Sequence, residues 1–224
     1  PVDVIEYHEE SPRRERHIEQ IKQVNEMLAD QVSKTLRESR FPVVLGGDHS
    51  IAIGTVMGVQ REKKNIGIIW MDAHGDFNNP ESSLTGNPHG MPLAAVTGNG
   101  AAELVPFNLR QIPFVNPENV VIVGARSIDK EEGRLLLKSG VTVFTISDID
   151  MYGMRNIMEK AIKIAGSGTA GYHVSFDMDV LNPTEAPGVG TPVYGGLTYR
   201  EAHLAAEMIA EDGRIVSLEM VEVN

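Results

Sequence analysis

The chain has 224 residues, 42% of them hydrophobic, with 31 acidic and 20 basic side chains and no cysteine. That length and apolar content suit one large α/β domain with a substantial core. A net charge of −11 repels polyanions at long range and excludes a nucleic-acid or anionic-membrane surface, while the lack of thiols excludes disulfides and thiolate metal sites.

In chain order, the periodicity predicts a helix over 12–38, where Ile18, Ile21, Val24, Leu28 and Val32 recur at three- and four-residue steps. Strand "FPVVLGG" (41–47), a helix over 50–62 and strand "IGIIWMDAH" (66–74) follow. Next come strands "NVVIVGAR" (119–126) and "VTVFTIS" (141–147) around a helix over 130–138, then a helix over 151–165. Strand "YHVSFDMD" (172–179), a helix over 199–211 and strand "IVSLEMVEV" (215–223) complete the chain. The last helix has Thr198 as an N-cap candidate, Glu201 three residues later and Gly213 as its stop. Apolar strands joined by helices indicate a three-layer α/β/α domain around a central, mainly parallel sheet, spanning 1–224 as one unit. No apolar stretch approaches the roughly 18 residues that cross a bilayer. The opening "PVDVIEYHEESPRRERH" is too charged for a secretory signal, so a soluble, cytoplasmic protein is expected.

Parallel strands present their C-terminal ends along one edge of the sheet, where ligands bind in open α/β folds. The polar motifs collect there: Gly46-Gly47-Asp48-His49 closes the first strand, Asp72, His74 and Asp76 the second, Asp177 and Asp179 the fifth, and Glu222 the last. Residues i and i+2 of an extended segment point to one side, about 6.6 to 7 Å apart. Four aspartates and two histidines facing one small volume demand positive compensation, which a pair of divalent cations supplies. Taken singly, each would read as a cap or turn residue, the reading that His8, His17 and His203 keep; the joint pattern in a thiol-free chain points to metal.

"GGDHS", "DAHGDFN", "SFDMD", "GTPVYGGLTYRE" and "TGNPHGMP" carry a further reading. In order and spacing they resemble the motifs of the ureohydrolase family, and within it those of bacterial arginases. The resemblance implies two Mn²⁺ per subunit, one held by His49, Asp72, Asp76 and Asp177 and the other by Asp72, His74, Asp177 and Asp179, with Asp72 and Asp177 bridging. Oxygen-rich sites with some imidazole suit Mn²⁺, although Co²⁺, Fe²⁺, Ni²⁺ and Zn²⁺ compete on affinity. Paired cations make a nucleophile from water, and the target would be the guanidinium carbon of L-arginine, giving ornithine and urea. Asp76 would orient the nucleophile, Glu222 would bind the guanidinium and His89 would carry protons. Asn78, Thr85 and Asn87 match the residues that read the α-carboxylate; Asp129 and Glu132 match those on the α-amino side.

The family also implies a homo-oligomer, a trimer or hexamer. A related amidinohydrolase acting on agmatine, guanidinobutyrate or formiminoglutamate is the alternative within the family; a non-catalytic metal-binding module is the alternative outside it. Two departures stand out. Asn182 occupies a position where a carboxylate is usual, and the family's opening strand and its segments beyond "EVN" have no counterpart, so a chain cut at both ends is expected, with a neighbouring strand's edge exposed or a gap left in the sheet.

Overall fold

The computed structural model describes residues 17–112 and 114–223. In order the elements are α1 (Ile18–Arg37), β1 (Val43–Leu45), α2 (Ala52–Glu62), β2 (Gly67–Met71), α3 (Pro92–Val96), β3 (Val120–Ala125), α4 (Lys130–Ser139), β4 (Thr142–Thr145), α5 (Ile146–Tyr152), α6 (Met154–Ala165), β5 (Tyr172–Asp177), α7 (Tyr199–Asp212) and β6 (Ile215–Val221). All six predicted strands form, and they lie in one sheet in the order β1-β6-β5-β2-β3-β4 with every neighbouring pair parallel.

The central strands are buried on both faces, as their near-continuous apolar sequences require. Side chains alternate across the sheet. Ile68 and Trp70 of β2, with Val120 and Ile122 of β3, pack into a core shared with α1, α2, α3 and α4. Their neighbours Ile69, Met71, Val121 and Val123 enter a second core with α5, α6 and α7. The three-layer arrangement therefore stands.

Helix α1 begins its described course at His17, in the left-handed region at φ 64°, and the predicted start at residue 12 lies outside the described residues. The largest departures lie around residue 146. The strand predicted through 147 stops at Thr145, because Thr145 caps α5: its hydroxyl accepts from Asp148 N, and Asp148 returns a bond to Thr145 N at 2.8 Å. That capping box overrides the β-branched run. The helix predicted from 151 is in fact two helices, separated at Gly153, whose φ of 77° interrupts a regular helix. Helix α3 sits in a stretch that carried no helical prediction.

Strand β1 pairs only with β6 among the described residues, and its Val43 and Leu45 are exposed. Helix α7 follows its prediction closely. Thr198 Oγ1 accepts from Glu201 N at 3.3 Å, Glu201 Oε2 accepts from Thr198 N at 2.8 Å, and Gly213 ends the helix at φ 72°. Thr198→Ala is therefore expected to cost about 1 kcal/mol. For a chain of this size that is a fall of about 2 to 4 °C in Tm, checked by thermal melts, without change in metal content.

Candidate metal centre and cleft

The C-terminal ends of β1, β2, β5 and β6 deliver the polar motifs to one place. Beyond β2 the ladder continues for one residue, Asp72 N donating to Val123 O at 3.1 Å, so the carboxylate of Asp72 leaves a rigid sheet. Its two oxygens divide their surroundings. Oδ2 accepts from Trp70 Nε1 at 2.9 Å and lies 3.3 Å from His49 Nδ1; Oδ1 accepts from His74 N at 2.7 Å and lies 3.5 Å from His74 Nδ1.

His49 sits on a short 3-10 turn, fully buried, with its ring stacked on Trp70 at 4.1 Å between centroids. Its Nδ1 also faces Asp76 Oδ2 at 3.0 Å and Asp177 Oδ2 at 3.1 Å. Asp179, on the turn after β5, lies 3.0 Å from His74 Nδ1 and is tied to the neighbouring loop by Ala73 N at 3.1 Å. Potential ligand atoms of His49, Asp72 and Asp177 fall within 4.8 Å of one another, as do those of Asp72, His74 and Asp179. Asp72 belongs to both groups.

Asp76 is held in a left-handed conformation at φ 49°, uncommon for a residue with a side chain. The amides of Leu93 and Ala94 at the start of α3 donate to Asp76 O at 3.1 and 3.2 Å, so this unpredicted helix fixes the predicted ligand. Gly75 is required for a different reason: a Cβ there would fall 2.8 Å from the Glu132 carboxyl. That close approach lets Glu132, itself buried, accept from Phe77 N at 2.9 Å and Asp129 N at 3.2 Å, joining the loop after β2 to the start of α4.

The electrostatics fit cations. Burial, followed by the charge of Asp72, pushes Asp76 and Asp177 well above the usual carboxylate range. Burial opposes ionisation of Asp72 too, but the imidazoles of His49 and His74 beside it more than offset that and hold this carboxyl low. His74 would lose protonation on burial, yet Asp179 and Asp72 raise it to about 11. His49 Nδ1 has no hydrogen-bond partner despite its burial, and it faces three carboxylate oxygens. Four carboxylates crowded around two imidazoles balance the charge of two divalent ions, with both histidines neutral.

Beside this cluster opens a cleft of about 200 Å³, lined by His49, His74, Asp76, Asn78, Thr85, His89, Asp129, Glu132, Asp177, Asp179 and Glu222. Asn87 is exposed and lines an adjoining groove with Asp48 and His89 instead. Glu222 adopts φ 52°, its amide donating to Gly47 O at 2.7 Å; burial and then Asp48 raise its carboxyl. His89 Nδ1 lies 3.5 Å from Asp48 Oδ2, which raises the imidazole. Asn182 spends its amide within its own loop, accepting from Gly195 N at 3.0 Å and donating to Thr184 Oγ1 at 2.6 Å, so it shapes the loop after β5.

Sequence reasoning missed Trp70, Arg126 and Thr191. Arg126 spends its guanidinium on the carbonyls of Asp179, Val180, Leu181 and Val193 at 2.7 to 3.2 Å, fixing the turn that carries Asp179; Thr191 Oγ1 donates to Asp179 Oδ2 at 3.2 Å. Only Arg126 left a faint signal, a cation at the end of an apolar strand.

The Arginase family model matches residues 7–224. An arginase of Bacillus subtilis strain 168 is 52% identical over 201 residues, covering 89% of this chain and 67% of the relative. The native structure of Bacillus caldovelox arginase at pH 5.6 superposes with a TM-score of 0.91 at 47% identity, covering 100% of this chain and 74% of that one. Entamoeba histolytica arginase, solved in complex with L-ornithine, gives a TM-score of 0.87 at 32% identity over 96% of this chain and 74% of that one. Fold, clustered ligands and sequence agree, and the chain belongs to the arginase family.

Proposed function

We propose that this enzyme hydrolyses L-arginine to L-ornithine and urea with two Mn²⁺, held by His49, Asp72, Asp76 and Asp177 on one side and by Asp72, His74, Asp177 and Asp179 on the other. The observation that carries the reading is Asp72, whose two oxygens each face a different group of potential ligands. When bound, such a pair of ions lowers the pKa of water and supplies a nucleophile at neutral pH. The chain's own groups do the rest. Glu222 receives the planar guanidinium, whose positive charge relieves the cost of burying this carboxylate. Asp76 orients the attacking water, whose oxygen bonds to the guanidinium carbon as the carbon–nitrogen bond to the ornithine side chain breaks. His89, partly exposed and paired with Asp48, delivers the proton that the departing amine requires.

In the same cleft, Asp129 receives the α-ammonium with help from Glu132, while Asn78 and Thr85, with Asn87 from the adjoining groove, receive the α-carboxylate. An arginase solved with L-ornithine supports this choice of product. Within the same reading the enzyme is homo-oligomeric, on the family resemblance, and cytoplasmic, on its thiol-free composition.

The test is urea release from L-arginine and agmatine by metal-stripped protein resupplied with Mn²⁺. Asp129→Ala is expected to lower kcat/KM for L-arginine about tenfold to a hundredfold, since hydrogen bonds to charged groups are worth about 1.5 to 3 kcal/mol. Agmatine lacks the groups on that carbon, so its rate should hardly move. Asp129 also stands at the N-cap position of α4, and any general damage from its loss lowers both rates alike. A parent protein that prefers agmatine, or an unchanged ratio in the variant, replaces the arginase reading with a different amidinohydrolase.

A further inference from the structure

Behind the metal centre, strands β5 and β6 carry a row of buried polar side chains that the proposed chemistry does not use. His173, Ser175, Ser217 and Glu219 are all fully buried. They are cross-strand neighbours, His173 facing Ser217 and Ser175 facing Glu219 in the parallel ladder. The row joins the centre at one point: His49 Nε2 lies 2.7 Å from Ser175 Oγ.

The direction of each hydrogen bond follows from counting protons. Ser175 has one hydroxyl hydrogen and gives it to Glu219 Oε1 at 2.7 Å. The hydroxyl oxygen can then only accept, so His49 must bring a hydrogen on Nε2. A neutral imidazole protonated at Nε2 has its lone pair at Nδ1, the atom that faces Asp72, Asp76 and Asp177 and has no hydrogen-bond partner. His173 Nε2 approaches the same Oε1 at 3.3 Å without a hydrogen bond, and His173 Nδ1 pairs with Ser217 Oγ at 2.8 Å.

We infer that Ser175 and Glu219 are positioning residues that lock His49 in the tautomer able to ligate a metal through Nδ1. The inference rests on the two-ion reading above. Without the lock, the imidazole divides between two tautomers and its ring is held on the Trp70 face alone, so the cost falls on the one ion that His49 serves. The ion held by His74 keeps its ligands.

The test is Mn²⁺ titration of metal-stripped parent, Ser175→Ala and Ser175→Cys, with bound metal quantified per chain and thermal melts of the stripped proteins alongside. Cysteine is nearly isosteric with serine and a poor acceptor, so it guards against an effect of lost volume. In both variants one of the two ions is expected to bind about 10- to 100-fold more weakly while the other keeps its affinity and the stripped proteins melt as the parent does. Parental affinity for both ions in both variants overturns the inference. So does equal weakening of both ions together with a lower melting temperature, the mark of a residue that merely supports the sheet. A parent chain that binds a single ion would instead sink the two-ion reading itself.

Discussion

Asp72→Asn is expected to remove both metal ions at once. The substitution is isosteric, so the buried site keeps its volume, but one carboxylate oxygen becomes an amide nitrogen that cannot ligate a cation and the other a neutral carbonyl oxygen without the negative charge. Asp72 Oδ2 faces the His49 group and Oδ1 the His74 group, so one ion loses a ligand atom outright and both lose the negative charge they would share. Metal activation of a nucleophile supplies several kcal/mol, and at about 1.4 kcal/mol per decade urea production should fall by roughly 10³-fold or more. Metal content by elemental analysis and urea release from L-arginine check the two parts together. Asp179→Asn is the contrast, since Asp179 belongs to the His74 group only and its loss should spare the other ion. One ion remaining at parental affinity in Asp72→Asn would end the shared-ligand account.

His89→Asn should do the opposite, lowering turnover about 10²- to 10⁴-fold while both ions stay bound. The imidazole lies in the cleft wall with Asp48 as its ion-pair partner, outside both ligand groups. Asp48 is the largest influence on it, raising its pKa above the usual histidine value against the opposing effect of burial. A raised pKa means that the protonated form persists to higher pH and is lost as pH rises through the folded value. Asp48→Asn removes the partner, so the titration of His89 should move down, as followed by NMR on metal-stripped protein. Stripping matters here because bound cations would add a larger field of their own. Undiminished turnover in His89→Asn removes this residue from the mechanism.

The positions of the six strands were legible because buried parallel strands are written as apolar runs, and α7 because a capping box and a terminal glycine mark both its ends. The candidate ligands were legible for a related reason. Asp72, His74, Asp177 and Asp179 follow apolar strands directly, so the pattern of the strand predicts where its polar end points. Helix α5 was not, since "VTVFTIS" contains both a β-branched run and a capping threonine, and which one governs depends on what packs against it. Nor was α3, whose five residues are too few to establish a helical period.

The sequence by itself determined the layered α/β class, the exclusion of thiol ligands and the edge of the sheet at which the polar motifs collect. Each is a local property, carried by composition, by periodicity or by the few residues that end a strand. Tertiary structure alone decided the strand order β1-β6-β5-β2-β3-β4 and thereby which strand ends share a site. It brought Asp48 to His89, Arg126 to the carbonyls around Asp179, and Ser175 with Glu219 to the back of His49. These partners are separated along the chain by up to 126 residues, and hydrogen bonds between polar side chains have no period to betray them. Their register follows only when the whole sheet closes around two cores.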